Sequence, residues 1–299
     1  MTKKTGLLFA GGAAIFFGMA GITGKLASAC GGNPITLPFY RNLISLPMLH
    51  VILKAKKIDL SLTKRECFGL LLLGLLGGFI TNVLMYTSYT MISVGLTTCA
   101  HFSFPVILAM IYAVFFKEKL SRLKIVAMVL GVAGMLFFIE TDAHIESHGI
   151  TVALLSGFTY ALYMIVMDRM DLKSMNGYKL SYYCCVFSSI GLGVYGLLRG
   201  YSFRGVLGSG AVFYLVATAV LISVLGSAMI PYAVASVGAT VTGIMGVLEP
   251  VTSVLLGVLI LEEPFGLRNA IGAGLVLSAT VLIGLEKEPT EESQIVEGI

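Results

Sequence analysis

The sequence predicts an all-α membrane protein: ten transmembrane helices built as two inverted five-helix repeats, with both termini in the cytoplasm. Three observations lead there. The run from Cys67 to Phe116 and the run from Gly205 to Leu248 contain no Asp, Glu, Lys or Arg. Each is about twice the roughly 20 residues that a helix needs to cross a bilayer, so each reads as two spans joined by a tight turn. The chain is 57% hydrophobic and 12% charged, with mean hydropathy +0.93, whereas soluble domains carry about 25% charged residues. The third observation is an internal repeat, set out below.

Apolar runs of span length cover residues 5–24, 34–53, 67–89, 96–116, 123–139, 149–167, 180–198, 210–235, 239–261 and 267–285. With water absent, each span must satisfy its own backbone, which makes helices the economical choice. Lys3-Lys4 followed by the first run resembles a secretory leader, but nine further runs favour an uncleaved first span. Lys and Arg fix the orientation. With the N-terminus inside, 15 fall on the cytoplasmic side, and Lys25, Arg199, Arg204 and Arg268 fall outside. The net charge of +4 thus reflects topology and is no sign of nucleic-acid binding. Cys30, Cys67, Cys99, Cys184 and Cys185 make neither a disulfide framework nor a zinc pattern.

The halves align at an offset of 143: Leu37-Pro38-Phe39-Tyr40 answers Leu180-Ser181-Tyr182-Tyr183, Tyr89 answers Tyr232, and Ser93-Val94-Gly95 answers Ser236-Val237-Gly238. A two-residue insertion then pairs Pro105 with Pro250 and Glu118 with Glu263. The expected units are 1–142, 143–285 and an acidic cytoplasmic tail, 286–299. Because five spans is an odd number, the second unit enters the membrane from the opposite face. Inverted repeats of this kind mark secondary transporters, which expose a site near the midplane to either side in turn.

Phe104-Pro105 with Phe115-Phe116-Lys117-Glu118-Lys119-Leu120, and Leu248-Glu249-Pro250-Val251 with Leu259-Ile260-Leu261-Glu262-Glu263-Pro264, resemble the two ends of the EamA repeat of the drug/metabolite transporter superfamily. Ala14-Ile15-Phe16-Phe17-Gly18 and Tyr40-Arg41 also resemble that pattern. The resemblance implies an inverted basket, with spans 1–4 and 6–9 around a central cavity and spans 5 and 10 outside it. It leaves the solute open, since this superfamily moves amino acids, sugars, nucleotide derivatives and drugs. The chain has no Trp; Phe17 and Tyr160 stand where relatives often carry one.

Candidate site residues are the polar groups kept within spans. Glu249 falls near the middle of span 9, where a carboxylate costs about 2.5–3.5 kcal/mol on insertion scales. It is the first candidate for proton coupling or for holding a solute amine, against the alternative of a structural pair. Pro250 is expected to free a carbonyl near Gly246. Arg41 in span 2 can snorkel, pair with Glu249, or hold a solute carboxylate or phosphate. His101 in span 4 reads as a packing histidine or a pH-sensitive relay. Asn82, Tyr86 and Tyr89 share one face of span 3, Tyr160 and Tyr163 share one face of span 6, and Tyr232 follows Pro231 in span 8. These groups make a candidate lining for an amphipathic solute, with Pro105, Pro231 and Pro250 as kinks.

Gly21-Ile22-Thr23-Gly24-Lys25 imitates part of a phosphate loop, but Met19 and Leu26 occupy required positions, so energy is expected from gradients rather than ATP. Glu140, Asp142, His144, Glu146 and His148 read as a solvated acidic loop, and no metal or cofactor is expected. The expected function is secondary transport of a small metabolite, an amino acid or similar solute with export favoured, in the bacterial inner membrane. Expected partners are the solute, lipid and protons, with a homodimer left open. The competing class is a polytopic enzyme or lipid flippase, for which the clustered catalytic groups or the HExxH motif are missing from the sequence.

Overall fold

The computed structural model describes residues 3–117, 121–138, 144–203, 210–237 and 239–285. These residues form ten helical rods, and no strand occurs among them. They are α1 (Lys3–Ala29), α2 (Thr36–Ala55), α3 (Lys64–Leu73, continued by Gly74–Thr81 and Asn82–Tyr89) and α4 (Val94–His101 and Phe104–Phe115). Then come α5 (Arg122–Phe138), α6 (His144–Arg169) and α7 (Gly177–Leu198). The last three are α8 (Ala211–Ala219, Val220–Gly226 and Ser227–Val237), α9 (Ala239–Met245 and Leu248–Leu261) and α10 (Leu267–Leu285). Among the described residues five helices are long and apolar enough to cross a membrane, by length and composition: Lys3–Ala29, Lys64–Tyr89, Val94–Phe115, Ser147–Arg169 and Gly177–Leu198. Arg41, Asn42 and His50 interrupt the apolar run of α2. The acidic-loop residues Glu140 and Asp142, the repeat position Glu118 and the tail 286–299 lie outside the described residues. Among the described residues no group of three metal-binding side chains occurs.

Packing follows the repeat. α1 lies against α8 and α9, and its counterpart α6 lies against α3 and α4. The counterparts α2 and α7 pack on each other, and so do α5 and α10. One end of the bundle carries Lys25, the α3–α4 turn and the α9–α10 connection. The loops with Arg65, Arg169 and Lys179 meet at the other end, where Arg65 donates to the Arg169 carbonyl (3.3 Å) and Lys179 to that of Ser61 (2.6 Å).

Both repeats depart from regular α-helix at matching places. The third rod of each repeat carries a π-helical segment, Gly74–Thr81 in α3 and Val220–Gly226 in α8. The fourth rod of each breaks, at Phe102–Ser103 in α4 and at Gly246–Val247 in α9. Pro105 falls in the first turn of its half-helix, where its missing N–H lacks an intrahelical partner in any case. Pro250 holds the equivalent place in α9. The carbonyl expected to be free at Gly246 is not free. It accepts the Glu249 amide at 2.9 Å, because the break tightens into a three-residue turn before the helix restarts.

Helix approach in a membrane is set by small residues, since lipid gives helices no hydrophobic reason to associate. At Gly18 the close approach is to backbone, which cannot turn aside. A Cβ there would sit 2.6 Å from the Glu249 carbonyl oxygen and 2.7 Å from Thr252 Cβ, and Ser253 Oγ donates to the Gly18 carbonyl at 3.1 Å. The α1–α9 crossing thereby fixes where Glu249 stands. Gly18→Ala is expected to lower stability by about 1–3 kcal/mol through overpacking. Gly274→Ala, whose Cβ meets nothing within 4 Å, is expected to stay within about 0.5 kcal/mol. Thermal melting of the detergent-solubilised variants measures both.

Candidate functional site

The π-helical segment of α3 positions the polar core of the bundle. Widening one turn leaves carbonyls without their usual helical donors, and in a bilayer no water replaces them. Asn82 supplies the donors: its Nδ2 donates to the carbonyls of Gly77 and Gly78, each at 2.9 Å. With both amide hydrogens used, Oδ1 is left to accept, and it takes Arg41 Nη1 at 3.1 Å. Arg41 Nη2 donates to Asn42 Oδ1 at 3.2 Å, and Asn42 Nδ2 donates to Ser188 Oγ at 2.9 Å. A guanidinium only donates, so it dictates which way both amides face.

Arg41, Asn42 and Asn82 border a cavity of about 200 Å³, completed by Tyr160, Tyr163, Cys184 and neighbouring residues of α7 and α8. Tyr160 and Tyr163 stack with ring centroids 5.1 Å apart and planes 13° apart. The cavity is smaller than the roughly 300–1,000 Å³ typical of drug-sized sites, so it suits a small solute.

Neither intramembrane charge is neutralised by the other. Arg41 is held by two neutral amides, and neither a hydrogen bond nor an ion pair reaches the Glu249 carboxylate from the described residues. Glu249 stands half-buried in the first turn of the second half of α9. Removing a lone charge from water is expensive without a partner, and lone intramembrane charges ordinarily serve a ligand or an ion.

The remaining sequence candidates fall in different places. His101 is buried, with Nδ1 2.9 Å from Ser156 Oγ and its ring 5.2 Å from that of Tyr160. Tyr86 and Tyr89 are buried edge to face at 5.9 Å, on the Lys25 side of the cavity. Tyr232 is 45% exposed and lies against Phe9, away from this cavity. Sequence reasoning passed over Asn42, Ser223, Cys184 and Cys185. The repeat offset held a signal for two of them: Arg41 and Asn42 map onto Cys184 and Cys185. Sequence reasoning also placed Lys25 among the charges that set orientation. In the structure Lys25 Nζ lies 2.5 Å from Glu263 Oε1.

The EamA-like transporter family matches residues 4–139 and again 147–285. The chain belongs to the EamA-like transporter family. The two matches account for almost the whole chain, one per repeat, and identify it as an integral membrane transporter of the drug/metabolite type. Among solved structures 27 chains match. One of them, a crystal structure, superposes with a TM-score of 0.63 at 14% identity, covering 99% of this chain and 100% of its own; this likeness speaks to the fold alone. No curated protein matches.

Asn82→Ala removes the donors of two π-segment carbonyls and one acceptor of Arg41. The expected cost is about 1–3 kcal/mol for buried polar groups left unsatisfied, seen as a lower melting temperature. Ser174→Ala, at an exposed hydroxyl bonded only to the Asp171 carbonyl, is expected to melt like the parent.

Proposed function

We propose that this EamA-family chain moves a small zwitterionic metabolite, an amino acid or a close analogue, by alternating access. In this reading all ten rods cross the bilayer, both termini are cytoplasmic, and export is the favoured direction. The observation that supports it is the uncompensated Arg41 guanidinium on the cavity wall, held in place by neutral amides. A preorganised fork of N–H donors without a carboxylate of its own suits a solute carboxylate, which it can bind in bidentate fashion. Glu249, of opposite sign and equally unpaired, suits a solute amine or a coupling proton. The stacked Tyr160 and Tyr163 rings offer apolar faces to an amphipathic solute. The cavity volume of about 200 Å³ argues against nucleotide-sized cargo.

The test is flux in proteoliposomes across a panel of labelled amino acids, amines, carboxylates and sugars, with and without a pH gradient. Losing a hydrogen bond to a charged group costs about 1.5–3 kcal/mol, and 1.4 kcal/mol is tenfold. Arg41→Gln, which keeps amide donors in place of the guanidinium, is therefore expected to reduce carboxylated-solute flux tenfold or more while lowering stability by no more than about 1–3 kcal/mol. Glu249→Gln is expected to abolish gradient-driven exchange. Parental flux and pH dependence in both folded variants would reject the zwitterion reading.

A further inference from the structure

We infer that Lys25 and Glu263 form a latch that closes the central cavity on the Lys25 side, its end of the permeation route. The inference rests on the transport reading above and adds to it a named gate. Lys25 stands near the end of α1, and Glu263 follows α9, so the pair ties one repeat to the other. Lys25 Nζ lies 2.5 Å from Glu263 Oε1 and donates to the Ile92 carbonyl at 3.4 Å. The other oxygen, Oε2, accepts the Val94 amide at 2.8 Å. One carboxylate thus fastens three elements together: the end of α1, the α3–α4 turn and the α9–α10 connection.

The placement is that of a gate. Facing away from the central cavity, the pair borders a larger recess of about 640 Å³, lined also by Ser28, Tyr89, Ser93 and Asn269. Behind it Tyr86 and Tyr89 pack onto α1, where Gly24 and Gly21 leave no room for a Cβ: Tyr86 would be 3.1 Å from one, and Val94 2.6 Å from the other. The latch and this tyrosine layer separate the recess from the cavity that holds Arg41. The Glu263 side chain is only 7% exposed, whereas that of Lys25 is 32% exposed. Losing either charge leaves the other poorly compensated at a closed contact, which favours the arrangement in which both meet water. A purely structural pair would not be expected to divide two cavities along one route, or to join the two halves whose relative motion alternating access requires.

The protein contains its own reporters, because Cys184 and Cys185 line the central cavity. In a background with Cys30→Ala, Cys67→Ser and Cys99→Ala, a membrane-impermeant methanethiosulfonate is applied to one side of sealed vesicles. A parallel protein keeping only Cys30, near Lys25, identifies which side is the latch side. Lys25→Gln and Glu263→Gln each remove the ion pair yet keep an acceptor for the Val94 amide. Each is expected to raise labelling of Cys184 and Cys185 from the latch side at least tenfold, and the double variant no further than the single ones. Lys25→Arg is expected to retain slow labelling. If Glu263→Gln does not fold, Lys25→Gln carries the test from the more exposed partner. Unchanged latch-side labelling in variants that melt like the parent overturns the latch, as does equal labelling of Lys25→Arg and Lys25→Gln. Labelling needs no solute, so a chain that moves none of the flux panel still reports on the gate. Measurable flux with latch-independent labelling rejects the gate and spares the transport reading.

Discussion

The polar cluster around Arg41 depends on how the carbonyls loosened by the α3 π-helical segment find donors. In water such a segment costs little, because solvent completes its hydrogen bonds. In a bilayer the donors must come from the protein, and the Asn82 amide provides them at Gly77 and Gly78. Committing both amide hydrogens leaves its oxygen as an acceptor only, and this draws in Arg41. Arg41 in turn orients Asn42, which reaches Ser188 on α7. A backbone irregularity is converted into a positioned cation through a chain of obligatory bonds.

That cation and Glu249 are best understood together. An intramembrane Arg and Glu close enough to pair would neutralise each other and leave the cavity wall nearly silent. Here the cation rests on amide dipoles, and the acid stands at the start of a half-helix, on the α1–α9 crossing that Gly18 makes possible. Helix N-termini favour negative charge, so the carboxylate gains some support there without a cation. In the proposed reading, each charge is left for the solute or proton that enters.

How far the sequence disclosed this varies with the physics involved. Hydropathy depends on composition over some twenty residues, so the apolar runs stood out. The repeat was visible in Tyr40 and Tyr183 or Pro105 and Pro250, because both copies answer the same packing demands. Arg41, Asn82, Tyr160 and Tyr163 were nominated because a polar residue in a span needs a reason to be there, and all four border one cavity. The π-helical segments were not legible, because a five-residue hydrogen-bond step leaves no compositional mark in Gly74–Thr81. The Lys25–Glu263 contact was hidden for another reason. A lysine at a span end already has an adequate explanation in topology, and a partner 238 positions away is invisible to any local pattern. The carbonyl at Gly246 failed as an expectation because proline removes a donor without preventing a tighter turn from supplying another.

The correspondence of Arg41 and Asn42 with Cys184 and Cys185 bears on more than the cavity's lining. A duplicated and inverted chain with perfect two-fold symmetry would have two end states of identical energy, related by that axis and facing opposite sides. Placing a guanidinium and an amide on one copy, and two thiols on the other, makes the scaffold palindromic but its chemistry directional. In the alternating access proposed above, the same charge meets different surroundings in the two end states, so their degeneracy is lifted by the sequence itself. On that proposal, a resting orientation is built into the protein before any gradient or solute acts on it.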